Sequence, residues 1–170
     1  MSKLLSTTAA RGRICALAGV LPIALAAAQA WGAETPPPPD GLTFLGQVVT
    51  DRQISQGRAL YAQHCASCHG ANLEGQRNWK RRLDSGRMPA PPHDESGHTW
   101  HHSDQALFRM TKSGVGAVIP GYESDMPAFD GILSDRHIIF VLSYIKSQWP
   151  EQIRVRQAEI TKQHQESTER

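Results

Sequence analysis

Three stretches of the chain carry apolar residues at helical spacing, and each opens on a capping residue. The first starts at Thr50-Asp51, a polar side chain followed by an acid, and continues through Ile54, Gly57, Leu60 and Tyr61. That pattern predicts a helix running into the segment Cys65–His69. Gly57 in its middle costs about 1 kcal/mol against alanine. Either a second helix packs closely there, or the position is a neutral surface one. The second stretch opens on Ser103 with Asp104 in the first turn, carries Leu107, Phe108 and Met110, and stops near Gly114. The third opens on Ser134-Asp135 and puts Ile138, Val141, Leu142 and Ile145 on one face with Tyr144 beside them. Pro150 closes or interrupts it. The rest, 151–170, is strongly polar. Ile153 and Ile160 give it a weak apolar stripe, which fits a surface helix or a frayed end.

These predicted elements are helices, and no pattern of alternating strands and helices accompanies them. The connections are distinctive. Residues 70–86 are polar, and Arg77, Lys80, Arg81, Arg82 and Arg87 gather around Trp79. Residues 88–102 hold three prolines and four histidines, His93, His98, His101 and His102. Residues 115–124 are glycine-rich, and Asp125-Met126-Pro127-Ala128-Phe129 leads into the third helix. There is no internal repeat.

The N-terminal third reads differently. Lys3, Arg11 and Arg13 precede an apolar run, Ile14 to Ala28, broken only by Gly19 and Pro22. Ala28-Gln29-Ala30 supplies small residues where a signal peptidase cuts, with Gly32 and Ala33 as alternative sites. Residues 1–30 are expected to be a signal peptide and the destination the periplasm, an uncleaved anchor being the alternative. Residues 31–50 form a proline-rich linker or arm. Pro36 to Pro39 favour extended polyproline II, and Gly41 to Val49 is apolar enough to lie against a domain at 51–149. Residues 150–170 are the polar C-terminal tail.

Removal of the leader changes both charge and thiol content. The whole chain has 18 Lys and Arg against 16 Asp and Glu. The leader takes three basic residues and no acid, leaving 15 against 16. Nothing in that balance suggests nucleic acid. Cys15 leaves too, so no spare cysteine pair remains for a structural disulfide.

The remaining thiols lie in Cys65-Ala66-Ser67-Cys68-His69. Two cysteines three positions apart followed by histidine is the attachment pattern of c-type haem. The thiols add to the two vinyl groups, and His69 is then held under the iron as an axial ligand. A thioredoxin-like or zinc site would not explain His69, and zinc would need a second cysteine pair. A proline of the 88–102 insert is expected to offer its carbonyl to the His69 N–H. A second axial ligand is needed to close the iron, and Met126, 57 residues after His69, is the candidate. Met88, Met110, or one of His98, His101 and His102 are the rivals. The basic residues around Trp79 read either as a solvated loop or as partners of a haem propionate. Leu60, Leu73, Leu107, Phe108, Ile119, Phe129 and Ile139 are the expected apolar surroundings of the porphyrin.

From Asp51 to about Trp149 the sequence resembles class I, single-haem c-type cytochromes. The residues that carry the resemblance are Gly57 and Tyr61, the Cys65–Gly70 motif, Met126-Pro127-Ala128-Phe129, and Leu142, Tyr144 and Ile145. It implies an all-α, cytochrome c-like fold, small helices wrapped around one haem c bound covalently through Cys65 and Cys68, with iron held by His69 and Met126. It also implies first and last helices that cross, with Gly57 at the crossing against Tyr144. The 87–102 insert departs from that pattern. The expected function is electron carriage between a protein donor and a protein acceptor, a membrane redox complex among them, with no catalytic residues. Two alternatives stay open: a haem enzyme, peroxidase- or reductase-like, with a displaceable distal ligand, and a copper-binding redox protein using the His93–His102 cluster.

Overall fold

The structure, a computed structural model, describes residues 41–170; the segment expected to be a signal peptide and the proline run lie outside these residues. Five helices and one two-stranded hairpin make up the architecture: β1 (Thr43–Phe44), β2 (Gln47–Val48), α1 (Asp51–His64), α2 (Ala66–His69), α3 (Asp104–Ser113), α4 (Asp135–Ser147) and α5 (Glu151–Thr168). The class is all-α with a cytochrome c-like arrangement. Among the described residues no helix is long and apolar enough to cross a membrane.

Helices α1, α3 and α4 each begin where their capping chemistry says. Thr50 and Gln53 form a reciprocal capping box at α1, the Thr50 N–H donating to Gln53 Oε1 at 2.7 Å. Ser103 Oγ accepts from the Ala106 N–H at α3, and Ser134 Oγ accepts from the His137 N–H at α4. These contacts satisfy N–H groups that the first helical turn leaves unpaired. α1 ends at His64. Cys65 leaves helical geometry, and α2 is a separate turn, so the motif lies on a short second helix rather than on a continuation of α1.

The principal helix contact is α1 on α4. Gly57 is buried at it. A Cβ there would collide with the backbone carbonyl oxygen of Phe140 and lie 3.0 Å from the Tyr144 Cβ. The glycine is a packing requirement, and close approach of the helices offsets its propensity cost. Ile54 and Tyr61 from α1 meet Ile138, Val141, Leu142 and Ile145 from α4, all buried, with Tyr61 and Tyr144 rings 5.5 Å apart.

The hairpin turns at Leu45-Gly46, both with positive φ, the combination that a two-residue hairpin favours. Leu42, Phe44 and Val49 are buried against the helices. The polar tail is the helix α5, with Pro150 at its start. It docks through polar atoms: Gln157 is fully buried and its Nε2 donates to Asp104 Oδ1 (2.8 Å) and to the His102 carbonyl (3.1 Å).

Candidate haem-attachment site

Tyr61, on the last turns of α1, donates its hydroxyl to the Gly70 carbonyl at 2.9 Å and so closes the motif back onto its own helix. Cys65 is half-buried, Cys68 is exposed, and the two are not bridged. Burial, then the neighbouring Cys68, pushes the Cys65 thiol up to about 11. A thiol held neutral is unlike the acidified thiols of Cys-x-x-Cys oxidoreductases.

His69 is 7% exposed. Its Nδ1 lies 2.9 Å from the Pro91 carbonyl oxygen. A carbonyl only accepts, so Nδ1 carries the proton and the Nε2 lone pair is left free. Burial lowers the pKa of the ring, against the opposing effect of the Pro91 bond, and keeps it neutral. A neutral imidazole with its outer nitrogen fixed by a carbonyl is what a metal-bound histidine requires. Pro91 is thus the proline that serves His69. The donor set, two accessible thiols three positions apart and one oriented neutral imidazole, fits haem c.

One partner was not legible in the sequence. The His93 ring stacks on His69, centroids 3.9 Å apart and 19° from parallel. Its Nδ1 is 2.7 Å from Thr99 Oγ1, and its carbonyl accepts from the Trp149 indole N–H at 2.7 Å. Burial and the adjacent His69 hold its pKa well below the ordinary histidine value. Proline and histidine abundance marked the insert, but no local signal singled out His93.

Met126 is half-buried and packs against the same apolar core as Cys65 and Ala66. Its loop is tied down on both sides. The Phe129 and Asp130 N–H groups donate to the Thr111 and Lys112 carbonyls at the end of α3. The Phe129 ring stands edge-on to His64, the residue before Cys65, at 6.4 Å. Arg87 pairs with Asp125 and Glu123 and thereby brings the start of the insert, with Met88, to this loop. Met110 is half-buried within α3 and also packs on the core. Of the expected apolar surroundings, Leu73, Leu107 and Phe129 are buried, while Leu60, Phe108 and Ile139 are half-buried against them. Ile119 stands apart, 43% exposed.

The other histidines divide among aromatic stacks. His98 stacks on Trp79, His101 stacks on Trp100, and His102 meets His98 edge-on. Among the described residues no group of three or more His, Cys, Asp or Glu side chains is arranged to hold a metal ion.

Residues 52–145 match the family model described as cytochrome c oxidase, cbb3-type, subunit III. The match begins with α1 and ends in α4, leaving the hairpin and α5 outside it. No curated protein and no solved structure matches the chain. With more than half of its length in the match and Cys65 and Cys68 positioned for attachment, the chain belongs to this family of c-type cytochromes, electron-transfer domains with covalently bound haem c.

Proposed function

We propose that the protein is an exported single-haem electron carrier, or the cytochrome subunit of a larger redox complex, in which His69 and Met126 would hold the haem iron. The observation that carries this reading is the Pro91 carbonyl on His69 Nδ1, which leaves Nε2 as the nitrogen available to iron. Bound haem c supplies a one-electron ferrous–ferric couple. The chain's residues hold that couple still. Cys65 and Cys68 anchor the porphyrin, Pro91 and His93 keep the His69 ring from turning, and Thr111 and Lys112 fix the loop that presents Met126.

Met126 is favoured over its rivals by its setting. It lies on a loop stiffened by Pro127 and packs on the core. Met110 occupies a helix whose neighbours account for its packing, and Met88 is not part of that core. A thioether ligand favours ferrous iron and raises the potential relative to a second histidine. Iron held by both residues would leave no place for oxygen or peroxide, which favours carriage over haem enzymology. The family's description as an oxidase subunit favours a protein donor and acceptor in or beside a membrane oxidase complex. The charged start of the chain and the apolar run after it favour a periplasmic address.

The test is ligand replacement. Met126→Ala should bind carbon monoxide in the ferrous state and show a lowered midpoint potential, whereas Met88→Ala should do neither. Unchanged ligation in Met126→Ala would remove the assignment.

A further inference from the structure

The loop Gln76–Arg87 is the most strongly charged segment of the molecule. Five of its twelve residues are Lys or Arg and one is acidic. Elsewhere in residues 41–170 there are ten Lys and Arg against thirteen Asp and Glu. The described part is therefore polarised, with its positive pole on one loop. Arg77, Lys80, Arg81 and Arg82 are all exposed, and none is in an ion pair among the described residues; only Arg87 is, with Glu123 and Asp125. Four like charges in six residues repel one another; Arg82 bonds the Gly86 carbonyl and Lys80 lies over Trp79, but no carboxylate offsets the repulsion. Their charge is left to act outside the fold.

The loop is ordered and rooted at the attachment site. The Arg81 N–H donates to the Asn78 carbonyl (2.7 Å), and Leu83 and Gly86 close a turn with Arg87. At its entry the Gly75 N–H donates to the His69 carbonyl (2.7 Å), and Gln76 and Ala90 exchange two hydrogen bonds of 2.9 Å. At its exit Pro91 holds His69 Nδ1. The basic segment leaves and returns at the two sides of His69.

We infer that this loop is the docking surface for an acidic face of a protein redox partner, an inference that rests on the electron-carrier reading above. Clustered charge of one sign steers an oppositely charged partner and raises its association rate. Leu83, 47% exposed at the turn, gives the complex one apolar contact. A protein face fits better than an anionic membrane. Trp79, the loop's only aromatic, is half-buried, stacked on His98 at 5.4 Å with Lys80 over its ring, and is not free to insert into lipid.

The experiment compares the full haem-loaded protein with the triple variant Arg77→Gln, Lys80→Gln, Arg81→Gln. Arg82 is kept because its guanidinium holds the turn through the Gly86 carbonyl. Oxidation of the ferrous protein is followed by stopped flow with two one-electron oxidants, anionic hexacyanoferrate(III) and cationic tris(phenanthroline)cobalt(III). Each takes one electron from the protein and leaves it ferric. The wild-type rate with the anion should fall as salt rises. At low salt the variant should be slower with the anion by about threefold, and no slower with the cation. Neither protein should sediment with phosphatidylglycerol vesicles. Equal rates for the two proteins with the anion overturn the docking surface while leaving the carrier reading intact. Wild-type sedimentation that is lost in the variant makes the loop a membrane contact instead. A protein that exchanges electrons with neither oxidant overturns the carrier reading, and the inference with it.

Discussion

His69 is held on two sides by groups that do opposite work. Pro91 fixes which nitrogen bears the proton, and His93 fixes the plane of the ring. The balance between the stack and the His93–Thr99 hydrogen bond is measurable. His93→Ala removes a ring packed against His69 and leaves a hole, at a cost of about 3 kcal/mol. His93→Phe keeps the stack and loses one hydrogen bond, worth about 1 kcal/mol. Urea denaturation followed by far-UV circular dichroism should therefore rank wild type above His93→Phe above His93→Ala. Because both variants lose the Thr99 bond, a His93→Phe protein no more stable than His93→Ala would mean that the stack contributes nothing. The motif was legible in the sequence because attachment is local, with three side chains in five residues. That a proline carbonyl would serve His69 was also legible; which proline was not. Pro91 and His93 reach His69 only because the chain after His69 runs out and returns, a path that no spacing encodes.

Helix starts were legible for the same reason: Thr50, Ser103 and Ser134 cap the turn immediately ahead of them. The helix interfaces were legible only in part. Gly57 marked the α1–α4 contact through its propensity cost. Gly57→Ala gains about 1 kcal/mol of propensity, but its methyl meets the Phe140 carbonyl, a backbone atom that cannot swing away. The collision decides the sign, and the haem-loaded variant should lose about 2 kcal/mol by denaturation midpoint. A stabilised variant would refute the close crossing. The buried polar knot was not legible. Asp104 reads as an ordinary first-turn acid and Lys146 as a last-turn base. Yet Lys146 Nζ lies 3.0 Å from Asp104 Oδ1, both almost fully buried. The Leu45 N–H, Gln157 Nε2 and the Thr161 hydroxyl complete the knot, joining the hairpin, α3, α4 and α5. Removing one charge strands the other, so Asp104→Asn should cost about 3–5 kcal/mol. The paired change Asp104→Leu with Lys146→Met should cost less than either half alone, which a double-mutant cycle reads directly. Gln157 and Thr161 stand four apart on α5, and Ile153, four before Gln157 in the weak apolar stripe, packs on the core.

At the scale of the molecule the core is thin and the insert is rich in histidine, and both bear on stability. A domain of about a hundred residues buries little apolar surface by itself. The double variant Cys65→Ala, Cys68→Ala, which cannot attach haem, should lack a folded helical far-UV spectrum. Acid should weaken the loaded protein as well. His98 and His102 are held below the ordinary value of 6.5, first by burial and then by repulsion from neighbouring histidines. Below about pH 6.5 the unfolded chain takes up protons that the folded one refuses, so stability present above that pH is lost as pH falls through it. Replacing His102 with glutamine should flatten the slope of denaturation midpoint against pH; an unchanged slope would clear His102 of the effect. The hairpin and α5 lie outside the family match, and the knot ties both to helices that begin within it. The shared part carries the central claim: one covalent haem closed on both sides by His69 and Met126. The optical spectrum of the ferrous wild-type protein, recorded before and after carbon monoxide, tests it most directly. Iron held by His69 and Met126 should give a low-spin c-type spectrum that the gas leaves unchanged. Prompt conversion to a carbon monoxide adduct would contradict it, because it would mean that the position assigned to Met126 is open.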